Sequence, residues 1–323
     1  MPKRISEMRP DPVDELIRQE GLPEVYRETV DQYIRPLAQR IARWRSDEGR
    51  AIIVGVNGAQ GTGKSTLVLF LQALLVNELD CPCARLSIDD LYLKKAERQG
   101  LADNVHPLLA TRGVPGTHDL LLGQQVLDRL LAAADGDETP LPAFDKATDD
   151  RLPRPQWPVH HGPASVVLFE GWCVGAMPDT DAEHLRQPLN ELERYDDADG
   201  YWRAYVNDQL RDAYGWFFDQ IDRLVMLKAP SMDCVIEWRT LQEHKLAQRS
   251  GVAPEQSGEP SGVMSDEAIR RFVMHYERLT RRMLVELPEH ADAIFFIDAQ
   301  HRISSMRSNE QSSGDWRRLG ARL

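Results

Sequence analysis

The chain has 323 residues, and 42% of them are hydrophobic, which excludes a wholly disordered protein. Its 39 Lys and Arg residues face 51 Asp and Glu residues, which gives a formal net charge of -12. A chain this acidic is a poor candidate for binding nucleic acid or an anionic membrane, because both partners require a concentrated basic face. The total charge does not exclude a local anion site, because a bound phosphate responds to its own pocket.

The cysteines and the hydrophobic runs bear on the compartment. Cys81 and Cys83 form a C-P-C pair without the four ligands of a structural zinc site, so we interpret the cysteines as free thiols of a reducing compartment. The basic amino-terminal stretch has no apolar region after it and does not resemble a signal peptide. The longest apolar run, residues 67–76, is too short to span a bilayer. We therefore expect a cytoplasmic protein.

Two hydrophobic patterns alternate along the chain. Apolar residues spaced three and four apart predict helices over residues 13–45, 65–79 and 120–134. Continuous apolar runs predict strands buried on both faces at residues 51–56, 84–88, 165–169, 223–227 and 293–297. This alternation predicts an α/β fold in which a five-stranded parallel sheet is flanked by helices and connected by right-handed crossovers.

The most specific motif is G-x-x-x-x-G-K-S at residues 58–65, between the first predicted strand and the next helix. Its glycines let the backbone wrap closely around phosphate groups, and the helix N-terminus adds a favourable dipole. Lys64 is expected to contact the β- and γ-phosphates of ATP, and Ser65 is expected to ligate Mg²⁺. The expected nucleotide-binding residues are Gly58, Ala59, Gln60, Gly61, Thr62, Gly63, Lys64, Ser65 and Thr66. The sequence contains neither N-K-x-D nor L-S-G-G-Q, which disfavours a GTPase and a transporter.

Carboxylates follow two of the predicted strands, at the edge where parallel sheets bind ligands. Asp89 and Asp90 come directly after the second strand, and Asp89 leaves it first, so we expect Asp89 to be the base that takes the proton of an acceptor hydroxyl. Glu170 follows the third strand in a Walker-B-like pattern, which makes Ser65 and Glu170 the expected metal site. The alternative for each carboxylate is a solvated strand end or a helix cap.

Two loops rich in Gly, Pro and charged residues carry the candidates for an acceptor site. R-G-V-P-G-T-H-D at residues 112–119 supplies donors for an anion, and F-D-K at residues 144–146 continues the pattern. Composition alone does not say which acceptor these loops bind. The expected substrate-binding residues are Asp90, Tyr92, Arg112, His118, Asp145 and Lys146.

A locally basic stretch follows the fourth strand. Residues 238–282 contain eight Lys and Arg against six Asp and Glu. We expect a helical lid here, and Arg239 is the best candidate for a catalytic arginine that neutralises charge during phosphoryl transfer. Most of the other basic side chains, which include Lys245 and Arg249, are expected to be solvated.

The sequence is interpreted as one P-loop kinase domain over residues 1–323. It would comprise an N-terminal helical segment at 1–50, a kinase core at 51–300 with the lid at about 238–282, and a loosely held tail at 301–323. The acidic segment 179–201 is expected to be an insertion packed on the sheet edge, and residues 250–262 are expected to form a loop. The sequence does not set the oligomeric state, although a monomer is favoured.

Together these segments resemble the plant-type D-glycerate 3-kinase family, within the wider group of phosphoribulokinase, uridine kinase and pantothenate kinase. The resemblance runs from about residue 51 to residue 297, and its distinctive segments are P-G-T-H-D at 115–119 and W-R-T-L-Q-E at 238–243. It implies ATP-dependent conversion of D-glycerate to 3-phosphoglycerate, with Asp89 as the base. It also implies that the acceptor's carboxylate is held by Arg112, His118 and Lys146.

Three residues near the implied acceptor pocket depart from the usual family pattern, namely Leu91, Phe144 and Ala147. Two alternatives therefore stay open. One is a P-loop kinase for another small hydroxyl acceptor, such as a nucleoside or a pantothenate-like acid. The other is a regulatory ATP-binding module without phosphotransfer.

Overall fold

The structure, a computed structural model, describes residues 11–250 and 264–309. The helices are α1 (Pro12–Gln19), α2 (Tyr26–Thr29), α3 (Arg35–Glu48), α4 (Lys64–Glu78), α5 (Lys95–Asn104), α6 (Leu120–Ala132), α7 (Ala182–Arg186), α8 (Glu191–Tyr195), α9 (Tyr201–Gln209), α10 (Gly215–Phe218), α11 (Met232–Ser250) and α12 (Asp266–His290). The strands are β1 (Ile52–Gly58), β2 (Cys83–Ser87), β3 (Glu138–Pro140), β4 (Phe144–Asp145), β5 (Asp150–Arg151), β6 (Val159–His161), β7 (Val166–Gly171), β8 (Arg223–Lys228), β9 (Ala293–Ile297) and β10 (Ile303–Ser308). Two π-helical segments, Val30–Ile34 and Leu210–Tyr214, interrupt the α-helical stretches.

Six strands form the main sheet in the order β10-β9-β8-β1-β7-β2. The five strands from β2 to β9 in that order run parallel, with β1 at the centre between β7 and β8. The α/β fold and its five predicted parallel strands are confirmed, while the predicted total of five strands is one too low. The smaller pairs β3-β6 and β4-β5 are antiparallel and lie outside this sheet.

The additional strand, β10, pairs antiparallel with β9 at one edge of the sheet. It lies in the segment that was expected to be a loosely held tail, so this expectation is wrong for residues 303–308. Most side chains of β10 are polar, and four of its six residues are serine or arginine. The hydrophobic pattern of the sequence therefore does not predict this strand. Backbone hydrogen bonds to β9 hold it in place, and its two apolar side chains, Ile303 and Met306, pack partly buried against the core.

Every residue of β1 is buried, which explains its continuous apolar run. Its side chains alternate between two clusters on opposite faces of the sheet: Val54 and Val56 face one cluster and Ile53 faces the other. Helices α1, α3 and α4 contribute to the first cluster, and α6 and α10 contribute to the second. The sheet is therefore covered on both faces, and ligands can approach the carboxyl ends of its parallel strands.

The acidic segment 179–201 forms α7 and α8 and packs against α12. Arg278 of α12 binds the buried Glu193 of α8 with Nε 2.8 Å from Oε1. The side-chain amide of Asn190 donates to Met274 O over 3.0 Å. Carboxylates of this segment thus pair with arginines of α12, while its packing on the sheet edge stays a prediction. Across residues 11–250 and 264–309, no helix combines the length and the apolar character needed to cross a bilayer.

Candidate active site

The turn between β1 and α4 has the backbone that the glycine motif predicts. Gly61 and Gly63 have φ angles of 78° and 89°, a region that favours glycine. At Gly58, an added Cβ would lie 2.6 Å from Thr62 Oγ1, so a larger residue cannot be accommodated without movement. The turn ends at the first residue of α4, Lys64, and this places a helix N-terminus beside the loop.

The first two side chains of α4 contact the end of β7 and the phosphate-binding turn. Ser65 Oγ donates a hydrogen bond to Glu170 Oε1 over 2.8 Å. Lys64 Nζ donates to Ala59 O over 3.2 Å, within the phosphate-binding turn itself. Burial lowers the pKa of Lys64, and the nearby carboxylates of Glu170 and Asp89 oppose that shift. A cation and a pair of hard oxygen ligands thus lie together at the turn.

Asp89 is held by two donors at the end of β2. Tyr92 Oη donates to Asp89 Oδ1 over 2.7 Å, and Lys146 Nζ lies 2.7 Å from Asp89 Oδ2. Burial acts to raise the pKa of Asp89, but the charge of Lys146 and these two hydrogen bonds outweigh it and hold the pKa well below its usual range. Asp89 is therefore a carboxylate at neutral pH, and it can accept a proton or a hydroxyl hydrogen bond.

Asp90, next to Asp89 in the chain, anchors the small antiparallel hairpin β4-β5. Its Oδ1 accepts a hydrogen bond from the backbone N–H of Phe144 over 3.1 Å. Burial raises the pKa of Asp90 to about 6, although the hydrogen bond from Phe144 opposes the shift. Asp90 thus positions the hairpin that carries Lys146, an indirect connection to the site that the sequence did not indicate.

Lys146 and Asp145 of the β4-β5 hairpin region make different kinds of contact. Lys146 reaches the site through its contact with Asp89, and its side chain is 61% exposed. Asp145 instead accepts hydrogen bonds from Ala147 N and Thr148 Oγ1, at 3.0 and 2.8 Å. The carboxylate of Asp145 therefore closes its own turn, and the structure does not bring it together with the other predicted substrate-binding residues.

Arg112 contacts the same hairpin, β4-β5 with its connecting turn. Its guanidinium pairs with Asp149 and sits 5.6 Å from the centre of the Phe144 ring. The neighbouring Gly113 has a φ of 129°, and an added Cβ there would lie 2.0 Å from the hydroxyl of Tyr276. That hydroxyl donates to Arg112 O over 2.7 Å, so α12 fixes the backbone of this loop.

His118 is buried between two tyrosines. Its ring stacks on Tyr92 with centroids 4.7 Å apart, and its Nδ1 lies 2.6 Å from Tyr214 Oη. Burial lowers the pKa of His118 to about 3, so the imidazole is neutral at physiological pH. Together with the contact between Tyr92 and Asp89, the stack links the 112–119 loop to the end of β2.

The basic stretch of α11 and α12 is paired with carboxylates. Arg239 binds Glu243 over 2.6 Å and lies 5.6 Å from the centre of the Phe272 ring. On α12, the ion pairs made by arginines within the described residues are Arg271 with Asp196, Arg278 with Glu193, Arg281 with Glu277, and Arg282 with Glu286 and Asp179. Five of the eight basic residues of this stretch are thus paired with specific carboxylates. The side chains of Lys245 and Arg249, and the predicted loop at 250–262 apart from its first residue, lie outside the described part of the chain.

Trp238 connects α11 to the phosphate-binding turn, a role that the sequence did not indicate. It is buried, and an added Cβ on Gly61 would lie 2.9 Å from Trp238 Cβ. Its ring stacks on His301, with centroids 4.5 Å apart. The only sequence signal was its place beside Arg239 in the W-R segment.

The sequence also did not indicate four residues that act through contacts distant along the chain, namely Asn57, Asp149, Tyr214 and Tyr276.

The residues present fit an ATP and magnesium site. Mg²⁺ prefers carboxylate and hydroxyl oxygens, and the Ser65–Glu170 pair offers both beside the turn. The left-handed Gly63 has open space beside it, because an added Cβ there meets no atom within 4 Å. These features match the chemistry that binding a triphosphate requires.

Comparison with known proteins gives the class. A protein of Schizosaccharomyces pombe named uncharacterized kinase mug58 is 35% identical over 237 residues, which cover 71% of this chain and 79% of that protein. The chloroplastic D-glycerate 3-kinase of Arabidopsis thaliana is 32% identical over 238 residues; these are 71% of this chain but 47% of the plant protein. The structure of D-glycerate 3-kinase from Cryptococcus neoformans var. grubii superposes with a TM-score of 0.66 at 27% identity, covering 84% of this chain and 99% of the other. No protein-family model matches the chain.

The fold, the phosphate-binding turn and these relatives define a P-loop kinase, an ATP-dependent phosphotransferase that acts on a hydroxyl group. The α/β sheet and the turn from β1 to α4 are those of this class. Within the class, the chain belongs to the D-glycerate 3-kinase family, which confirms the resemblance noted in its sequence.

Proposed function

We propose that this chain transfers the γ-phosphate of ATP to a hydroxyl group of D-glycerate and gives 3-phosphoglycerate and ADP. The observation that carries the proposal is the position of Asp89. Its carboxylate contacts Lys146 of the β4-β5 hairpin, and the charge of Lys64 in the phosphate-binding turn is near enough to lower its pKa. A hydroxyl bound at Asp89 is therefore close to both the acceptor loops and the phosphate-binding turn.

In the proposed reaction, the hydroxyl oxygen attacks the γ-phosphorus while the bond from that phosphorus to the leaving ADP oxygen breaks. Asp89 orients the hydroxyl and takes its proton. The low pKa of Asp89 makes it a weak base, which suits a loose transition state in which the proton leaves late. Lys64 neutralises charge on the β- and γ-phosphates. Ser65 and Glu170 are the residues that would hold Mg²⁺, which supplies further charge neutralisation on the phosphates when it is bound.

The acceptor's carboxylate is proposed to lie among the donors of the two acceptor loops. Lys146 supplies an ammonium group and Arg112 a guanidinium group whose pairing with Asp149 leaves further N–H donors. Arg239 would close over the phosphates only after exchanging its contact with Glu243. The cytoplasmic location and the monomeric state stay predictions.

The test is a coupled ADP-release assay with D-glycerate, other hydroxy acids, nucleosides and pantothenate, with and without Mg²⁺. The product position is assigned by ³¹P NMR. Stimulation by D-glycerate with the phosphate on the 3-hydroxyl supports the proposal. Stimulation by a nucleoside or pantothenate alone would support a kinase for another acceptor, and ADP release that is indifferent to every acceptor would overturn phosphotransfer.

A further inference from the structure

Tyr214 lies at the end of the second π-helical segment and is fully buried against the 112–119 loop. Its hydroxyl oxygen accepts a hydrogen bond from the backbone N–H of Gly116 over 3.0 Å. The same hydroxyl lies 2.6 Å from Nδ1 of His118. A Cβ on Gly116, whose φ is 100°, would come within 2.7 Å of the ring of Tyr205, so the loop and the helical stretch 201–218 fit closely together.

These contacts determine which nitrogen of His118 carries the proton. Burial raises the pKa of Tyr214 well above its usual value, so the phenol keeps its hydrogen. The oxygen of Tyr214 already accepts from Gly116, and among residues 11–250 and 264–309 the His118 Nδ1 is the acceptor that its O–H hydrogen reaches. The hydroxyl therefore donates to Nδ1. A neutral imidazole that accepts at Nδ1 carries its single proton on Nε2.

The Nε2–H group has no acceptor within the described part of the chain. The Nε2 atom is buried and makes no hydrogen bond to the described residues, and His118 as a residue is only 6% exposed. A buried donor left unpaired costs roughly 1–3 kcal/mol. The ring faces Tyr92, which binds Asp89, so the unpaired donor belongs to the same group of contacts as the residue proposed to take the acceptor's proton.

We propose that Tyr214 is a positioning residue that fixes the Nε2–H tautomer of His118, and that this Nε2–H donates to an oxygen of the acceptor substrate. The inference rests on the proposed kinase function, and it adds the chemical class of the acceptor group that the site selects. His118 acts here as an oriented neutral donor, so it recognises a carboxylate or hydroxyl oxygen by direction and not by charge. A site with such a buried donor rejects an analogue that lacks the matching oxygen much more strongly than a site that merely excludes bulk.

The tautomer is tested by ¹⁵N NMR of the full chain labelled at histidine. The His118 signals are identified by their loss in His118→Gln. We expect the wild-type protein to show a protonated Nε2 and an unprotonated Nδ1, and the Tyr214→Phe variant to lose this pattern. Tyr205→Phe removes a hydroxyl from the neighbouring tyrosine and should leave the pattern unchanged. A protonated Nδ1 in the wild-type protein would overturn the proposal without any variant.

The consequence for binding is tested by kinetics of the same variants. We expect Tyr214→Phe to raise KM for the acceptor about 10-fold or more, with KM for ATP within a few-fold of wild type. The melting temperature should fall by a few degrees, because Gly116 N–H and His118 Nδ1 lose their partner. An unchanged acceptor KM in Tyr214→Phe would contradict the role of Nε2–H in binding. Failure of the wild-type protein to phosphorylate any acceptor would instead contradict the proposed function, and the NMR measurement still decides the tautomer.

Discussion

The ammonium of Lys146 lies 2.7 Å from Asp89 Oδ2, so the residue proposed to bind the acceptor's carboxylate is paired with the residue proposed to take its proton. When the acceptor enters, Lys146 has to serve both carboxylates at once or transfer from one to the other. Its charge also keeps the pKa of Asp89 low against the effect of burial. One lysine therefore couples acceptor binding to the protonation state of Asp89.

Replacing Lys146 by methionine should raise the pKa of Asp89, because the largest of the charges that oppose the effect of burial is then removed. Asp89 works as a carboxylate, so the acidic limb of kcat/KM for the acceptor should move to higher pH. The measurement is a pH–rate profile of both proteins, with the exposed Lys95→Met as the matched control. An acidic limb at the same pH in Lys146→Met would show that Lys146 does not set the pKa of Asp89.

Asp89→Asn removes the proton acceptor and keeps the shape of the side chain. Turnover should fall by ~10²–10⁴, while ATP affinity measured by calorimetry should stay near the wild-type value. Asp145→Asn is the matched control, because Asp145 has the same chemistry but bonds only within its own turn. Turnover of Asp89→Asn within a few-fold of wild type would remove Asp89 from the chemistry.

Glu170→Gln preserves the hydrogen-bonding shape beside Ser65 but removes the negative charge. The Mg²⁺ concentration needed for half-maximal activity should rise by roughly 10- to 100-fold, since ligands and their supporting groups affect metal affinity on that scale. A titration of activity with Mg²⁺ at saturating ATP measures this. An unchanged magnesium requirement, with normal activity, would show that Glu170 only caps α4 through Ser65.

Asp90→Asn should stabilise the protein above pH 6. Burial raises the folded-state pKa of Asp90 to about 6 from an ordinary value of 3.8, so its charged form is disfavoured in the folded chain. Below both pKa values Asp90 is protonated in the folded and in the unfolded chain. The cost of ionising Asp90 in the folded chain develops as the pH rises from about 4 to above 6. An asparagine oxygen can still accept from Phe144 N–H, and the gain at pH 8 should be on the order of 1–3 kcal/mol.

Urea denaturation of both proteins at pH 4 and pH 8 checks this expectation, and the gain should be nearly absent at pH 4. Asp145→Asn should behave in the opposite sense. Hydrogen bonds from Ala147 N and Thr148 lower the pKa of Asp145. Its carboxylate therefore stabilises the fold at pH values above the pKa of the unfolded chain, and this stabilisation is lost as the pH falls. A destabilised Asp90→Asn protein at pH 8 would show that the carboxylate charge is compensated by a partner.

The sequence predicted the parts of the fold that depend on burial and on glycine geometry. The run AIIVGV predicted the central strand, and the structure extends it by two residues to Gly58, because the turn begins where the glycines take positive φ. It could not predict that Tyr276 reaches Arg112 O or that Arg98, buried at 1% exposure, binds Asp149, since these pairs are separated by long stretches of chain. The same limit applies to Arg278 of α12, whose partner Glu193 of α8 lies 85 residues earlier in the chain.

β10 also determines which edge the sheet offers to other molecules. Without it, β9 would end the sheet, and its A-I-F-F-I segment has the composition that favours pairing between chains. β10 occupies that edge, and its exposed residues Ser304, Ser305 and Arg307 are unsuited to adding another apolar strand. The antiparallel strand therefore acts as a cover against intermolecular β-sheet growth. Shortening the chain before residue 303 would expose an aggregation-prone edge while leaving the phosphate-binding turn intact in sequence.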